Sequence, residues 1–376
     1  MVKKAQSQTS TSISRRNFVA GSVGMLAATA GASAIAQETA TEAAPAKKAA
    51  GKEVIIGKGD YQFRVDHQFC QLPEKFSWQT THNVAVDSSN NLYVIHEGRT
   101  NMKDHPSIFV FSPEGKFIRA FGSQFQGGGH GIEIRKEGSD EFLYVAAYQD
   151  VKSFAKMTLK GETVWYKKAP MESGVYAEGE DVSTKKNWSR KGFLPTNFTF
   201  LDNGGFLLVD GYGSYYIHEF DKDAKWVRCF GGAGKGEGKF NLAHGIWVDD
   251  RPGRDKSLYV TDRSHNTVQI LDMDGNHIET MRDYGLPANI ETRGNLMLIP
   301  ELKARITLLD EKNNIVARLD DGLERLGQIE GLRTKPDQWK DGQFVHPHDA
   351  CFDQEDNLFV AEWVQTGRVT KLTRVS

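Results

Sequence analysis

Six times along the chain, a short alternating apolar run opens a unit of the same polar and apolar grammar. The clearest copy, "HGIWVDDRPGRDKSLYVTDRSHNTVQILDMDGN", runs from His244 to Asn276. It reads as strand, polar turn, strand, short turn, strand, and a closing turn at Asp274-Gly275-Asn276. The grammar recurs in "HNVAVDSSNNLYVIHEG" with "SIFVFSPEGK" from His82, and in "NFTFLDNGGFLLVDGYGSYYIHEFDKDAK" from Asn197. It recurs again in "HDACFDQEDNLFVAEWVQTGRVTKLT" from His348, and looser copies start at Gly131 and Asn289. Unit starts fall roughly 45 to 65 residues apart, a period that means a propeller or a solenoid. Three or four strands per unit is one propeller blade, whereas β-helix repeats are much shorter. An all-β, six-bladed β-propeller is therefore expected over residues 53–376. The stretch before His82, including "EVIIGKGDYQFRV", is expected to donate the strand that closes the ring.

Ahead of the repeats lies a different kind of segment. "SISRRNFVAGSVGMLAATAGASAIAQ" carries Arg15 and Arg16, then Phe18 and a weakly apolar Ala/Gly run ending in Ala34-Ile35-Ala36 before Gln37. That string resembles a bacterial twin-arginine export signal, which places the signal at 1–36 and the mature protein in the periplasm or outside the cell. Residues 37–52, "QETATEAAPAKKAAGK", show no periodicity and read as a flexible linker. No cysteine follows the cleavage site, and no later apolar run reaches the roughly 20 residues of a membrane helix, so no membrane anchor is expected. A formal net charge of −2 offers no basic field for nucleic acid. Three cysteines, Cys70, Cys229 and Cys351, are too few for a disulfide framework and leave one bridge or three thiols open. A monomer acting on a small-molecule or peptide substrate is expected.

Aligning the units on their first strand brings out a ring of equivalent positions: His82, His130, Thr196, His244, Ala288 and His348. First strands line a propeller's central channel, so these residues should encircle one mouth of it. Blades 2, 4 and 6 sit at about 120° from one another, and they carry His130, His244 and His348. Three imidazoles arranged this way supply three ligands of a tetrahedral zinc and leave the fourth position open, the mark of a catalytic site. His82, in blade 1, breaks the threefold pattern. It reads as channel lining, a fourth ligand or a group behind the ligands. A histidine near this point for turn packing is the bland alternative for each one taken singly.

The units resemble NHL repeats, and "GHGIEI", "LAHGIWVD" and "HPHDACFD" resemble the ligand motifs of the peptidyl-α-hydroxyglycine α-amidating lyases. That resemblance implies zinc on His130, His244 and His348. It also implies a structural calcium deeper in the channel, on Asp349 and the backbone carbonyls of Val84 and Ile132. "VDGYGSYYIHEF" implies a catalytic base at Tyr212, and "YVTDRSHNTVQI" implies a carboxylate-binding Arg263. The reaction implied is cleavage of a carbinolamide to an amide and glyoxylate. Packing would explain Tyr212 equally, as for Tyr215 and Tyr216, and a surface ion pair would explain Arg263. Two departures stand out. "VIHEGRTN" puts Glu97 where the family has an arginine, with Arg99 two residues on, and Gly213 stands where relatives can carry a disulfide cysteine.

Two other functions fit a six-bladed ring. One is a non-catalytic binding platform whose loops hold a protein or glycan. The other is a calcium-dependent lactonase, whose channel amides would be Asn197 and Asn289. Insertions at 168–195 and 321–345 interrupt the period, and loops of that length are usually functional or disordered. Trp188, Arg190 and Trp339 within them are candidates to cover a ligand, or simply packed loop residues. "GGAGKGEGKFN" from Gly231 lies between units, not at a strand-to-helix turn, and reads as a connector instead of a phosphate loop.

Overall fold

A computed structural model describes residues 53–375 and shows six antiparallel sheets following one another along the chain. They form the six-bladed β-propeller expected from the repeats. The twin-arginine signal and the linker expected at 1–52 lie outside the described residues. The innermost strands are Thr81–Val86, Gly129–Glu137, Asn197–Phe200, Ala243–Asp249, Glu291–Arg293 and Pro347–Phe352, in blades 1 to 6. Blade 6 joins the two ends of the described chain. Strand Arg368–Arg374 pairs antiparallel with Tyr61–Asp66, which pairs in turn with Ile55–Lys58. The segment before His82 therefore closes the ring, and does so with two strands instead of the one expected.

The core is divided by the same sixfold plan. One cluster of buried apolar side chains fills each blade interface, for example Tyr93, Ile95, Ile132 and Leu143 between blades 1 and 2. Val84, Leu92, Cys351 and Phe359 fill the interface between blades 6 and 1. Each fully buried side chain of this size contributes about 1.5–3 kcal/mol relative to exposure. Alternation along each strand sends one set of residues to each neighbouring interface, so every blade is apolar on both faces. Aspartates set several hairpin turns. Asp87, Asp310 and Asp353 each accept the N–H groups two and four residues on, with Asn90, Asn313 and Asp356 at positive φ within those turns.

Both insertions fold against the blades. In the first, Tyr176 and Phe193 join the interface cluster of blades 2 and 3, and Glu180 pairs with the buried Lys152 at 2.5 Å. The second holds helix Leu323–Gln328 and a small cluster of Leu332, Val345 and Val364. The glycine-rich stretch from Gly231 connects blade 3 to blade 4, as expected. All three cysteines are free thiols. No helix among the described residues is long and apolar enough to cross a membrane.

Two histidines away from the channel are locked in neutral form. Burial pulls His218 and His96 down to about 3, and both are 0% exposed. Below the ordinary value of 6.5 the unfolded chain takes up protons that the native fold refuses, so stability rises with pH through that window. These two groups together should remove about 2.7 kcal/mol per pH unit as pH falls from about 6 toward 4. Denaturant unfolding midpoints measured across that range should drop steadily, with a flatter drop in His218→Phe.

Candidate metal centre at the channel mouth

The ring read from the alignment closes around one point. Ring centroids of His130, His244 and His348 lie 4.9, 4.9 and 4.8 Å apart, a nearly equilateral triangle drawn from alternate blades. All three side chains are buried. His82 lies between two of them, 4.8 Å from His130 and 4.6 Å from His348. Measured between ring nitrogens, His82, His130 and His348 group within 4.8 Å of one another. His244 stands across the ring from His82, because blade 4 faces blade 1. The structure brings the rings of the expected trio together, but the ring nitrogens that group within 4.8 Å are those of His82, His130 and His348, with His244 outside that group.

Each histidine of the trio is turned inward by the next blade. His130 Nδ1 donates to the carbonyl of Thr196 at 2.9 Å, His244 Nδ1 to Ala288 at 2.7 Å, and His348 Nδ1 to His82 at 2.7 Å. Those carbonyls belong to the ring positions of blades 3, 5 and 1. A carbonyl only accepts, so the proton sits on Nδ1 and the Nε2 lone pair is left free. The glycine after the histidine in two of the motifs has the same cause. A Cβ on Gly131 would come within 2.1 Å of the Thr196 oxygen. A Cβ on Gly245 would lie 2.8 Å from the Ala288 oxygen and 2.5 Å from Asn289 Oδ1. The His-Gly pair is the sequence form of a carbonyl from the neighbouring blade pressed against the imidazole. Burial, then neighbouring charge, holds all three histidines well below their ordinary values, neutral and able to ligate.

Tyr212 and Arg263 arrive at this ring. The Tyr212 hydroxyl is 3.0 Å from His244 Nε2 and 3.4 Å from His130 Nε2, and Arg263 donates to it at 3.0 Å. Burial pushes the phenol above its ordinary range, with Arg263 acting against that shift. Arg263 has no carboxylate partner among the described residues. Trp188 from the first insertion lies edge-on to Tyr212 and Tyr148, so it flanks the mouth. Arg190 stacks on Tyr215 and donates to the Tyr212 carbonyl, behind the site. Trp339 packs against Arg368 and the small cluster of the second insertion, away from the ring. Tyr216 lies in a strand of blade 3 near His218.

Glu97 occupies the mouth without being free to repel a ligand. Its carboxylate contacts His82 Nε2 at 3.2 Å, Tyr148 at 3.0 Å and Gln149 at 2.5 Å. Against burial, which raises it, those bonds hold Glu97 below the ordinary carboxylate range. Arg99 is exposed, and its backbone N–H bonds Gln126. Tyr148 and the clamp on Glu97 are features that no repeat pattern marked in advance.

Below the histidines lies an oxygen-rich tier. Asp349 accepts the Val84 N–H at 2.8 Å and the Asn289 amide at 2.5 Å, and Asn197 donates to Asn289 at 2.6 Å. The N–H and C=O of one strand residue point to the same edge, so the Val84 carbonyl also faces the channel. Ile132 holds the same strand position in blade 2, beside Glu133. Burial raises Asp349 to about 7 and Glu291 to about 8. Burial and the repulsion of those two raise Glu133 further. Among the described residues these carboxylates do not draw together into a metal-ligand group as the histidines do. Glu133 and Glu291 were not singled out from the sequence. Their position three residues after the ring residues His130 and Ala288 was the available signal.

The fold and site together define a six-bladed propeller with a buried histidine ring capable of holding a metal ion. No protein-family model matches the sequence. Among solved structures, a catalytically inactive histidine-to-alanine variant of virginiamycin B lyase from Staphylococcus aureus, with quinupristin, matches at a TM-score of 0.52 and 15% identity. That match covers 83% of this chain and 100% of the other. A gluconolactonase from Xanthomonas campestris matches at 0.52 and 11% identity, covering 83% of this chain and 89% of its own. At these identities the likeness is one of fold, and the resemblance to amidating lyases rests on the sequence motifs.

The role assigned to the glycines is directly testable. Gly245→Ala should displace the Ala288 carbonyl from His244 and loosen transition-metal binding by about 10–100-fold, as loss of a partner behind a ligand does. Competition against a chromogenic chelator measures it, alongside a far-ultraviolet check that the fold persists.

Proposed function

We propose that this protein is an exported, metal-dependent lyase-like propeller that cleaves a carbinolamide of the peptidyl-α-hydroxyglycine type. The observation that carries the reading is the convergence of imidazole lone pairs beside a tyrosine that is itself hydrogen-bonded by an arginine with no carboxylate partner among the described residues. His130, His244 and His348 would hold zinc, and the channel tier of Asp349 with the Val84 and Ile132 carbonyls would hold calcium. Glu133 and Glu291 add charge to that tier. The export signal at 1–36 supports a periplasmic or secreted location.

Bound zinc would supply Lewis-acid polarisation of the substrate oxygen. The work of the chain's own residues follows from their positions. Arg263 stabilises the phenolate form of Tyr212 and presents its remaining donors to the substrate carboxylate. Tyr212 takes the proton of the carbinol hydroxyl. The C–N bond then breaks, its electron pair goes to the departing amide nitrogen, and the same proton returns to that nitrogen. An amide and glyoxylate leave. Trp188 screens the mouth from water, and Glu97 is held back by three partners.

A second reading is favoured by one specific feature. The chain of Asn197, Asn289 and Asp349 places amides and a carboxylate around the channel axis, a set suited to calcium-assisted lactone hydrolysis. A gluconolactonase is also among the structural neighbours.

Glyoxylate release from a peptidyl-α-hydroxyglycine by zinc-loaded protein tests the first reading. A chelator should abolish turnover and zinc should restore it. Tyr212→Phe should lower kcat about 10²–10⁴-fold, in line with removal of a general base, while Arg263→Gln should raise KM and also lower kcat, because it loses both the carboxylate contact and the support of the Tyr212 phenolate. Turnover of lactones with calcium, and none of the carbinolamide, would replace the first reading by the second.

A further inference from the structure

Four imidazoles, not three, present lone pairs at the mouth. The trio donates Nδ1–H to backbone carbonyls, which frees three Nε2 lone pairs. His82 is held the other way round. Its Nε2 faces the Glu97 carboxylate, which only accepts, so the proton is on Nε2 and the lone pair is on Nδ1. That Nδ1 is buried and has no hydrogen-bond partner among the described residues, and His348 Nε2 shares the condition.

Tyr212 meets only part of this demand. Its hydroxyl has one proton, and the shorter contact, at 3.0 Å, is to His244 Nε2. The 3.4 Å contact to His130 is a weak second. Lone pairs on His82, His130 and His348 are therefore left without a strong donor, and these are the residues whose ring nitrogens group within 4.8 Å. A buried nitrogen lone pair with no donor carries its full desolvation penalty, which a residue that merely lines a channel would have no reason to bear.

We infer that His82 is a fourth nitrogen ligand of the metal, acting through Nδ1 and held in that tautomer by Glu97; the inference rests on the metal reading above. Glu97 then acts as the carboxylate behind a ligating histidine, the arrangement that fixes ring orientation and raises ligand basicity. Its own bonds to Tyr148 and Gln149 keep it in place. An all-imidazole set suits zinc, copper, iron or nickel, and disfavours calcium and magnesium. Blade 1 thus breaks the threefold pattern because it supplies an extra ligand, and a substrate oxygen would have to enter as a fifth ligand from the side of the ring where Tyr212 and Arg263 stand.

X-ray absorption on the zinc-loaded mature protein tests this without any variant, because scattering from imidazole rings reports how many are bound. The expected result is four in the wild type and three in His82→Ala, with zinc affinity at least tenfold weaker in the variant. Glu97→Gln tests the holder separately. Its amide can donate to Nε2 and release the proton to Nδ1, so affinity should fall about 10–100-fold. Three imidazoles in the wild type, together with unchanged affinity in His82→Ala, would overturn the fourth ligand and leave the metal reading standing. A wild-type protein that takes up no zinc would overturn both.

Discussion

The site depends on a hydrogen bond that crosses from one blade to the next. Each of three ring histidines gives its Nδ1 proton to a carbonyl of the following blade, at 2.7 to 2.9 Å. One bond does two things. It ties neighbouring innermost strands together near the axis, and it fixes the tautomer that leaves a lone pair aimed inward. A propeller without these bonds would still close through its six apolar interfaces. Its imidazoles would then be free to rotate, and the mouth would lose its preset ligand geometry. The candidate metal ligands and the blade contacts are in this sense the same residues.

Burial sharpens the chemistry in two tiers. At the mouth it keeps the histidines neutral, and Arg263 counters its effect on Tyr212. One tier down it raises Asp349, Glu291 and Glu133, whose mutual repulsion a cation would relieve. Imidazole nitrogens at the mouth and carboxylate and amide oxygens one tier down give the channel two layers of different ligand chemistry. Fold alone decides neither chemistry, since a lyase and a lactonase share this architecture among its structural neighbours.

Much of this was legible in the sequence because propeller blades repeat. The period locates all six blades, and alignment on the first strand alone names the ring His82, His130, Thr196, His244, Ala288 and His348. Phase did the rest: histidines in alternate blades must face one another. What repetition could not carry was contact between residues far apart in sequence. The clamp on Glu97 joins residues from strand ends and loops of blades 1 and 2, and no spacing encodes it. Glu133 and Glu291 looked like ordinary strand residues until the lumen gave them a common neighbour. The second closing strand, Ile55–Lys58, was blurred because it lacks the alternation of a strand buried on both faces. Trp339, for which the sequence left covering a ligand and loop packing both open, serves packing and lies away from the mouth.

The central claim is that the inward lone pairs converge on one transition-metal ion. Elemental analysis of the folded protein beside His244→Ala tests it most directly. The expected result is about one transition-metal ion per chain in the wild type and a clear loss in the variant. A wild-type protein that is metal-free as isolated, and that fails to take up zinc, copper, iron or nickel afterwards, would contradict it.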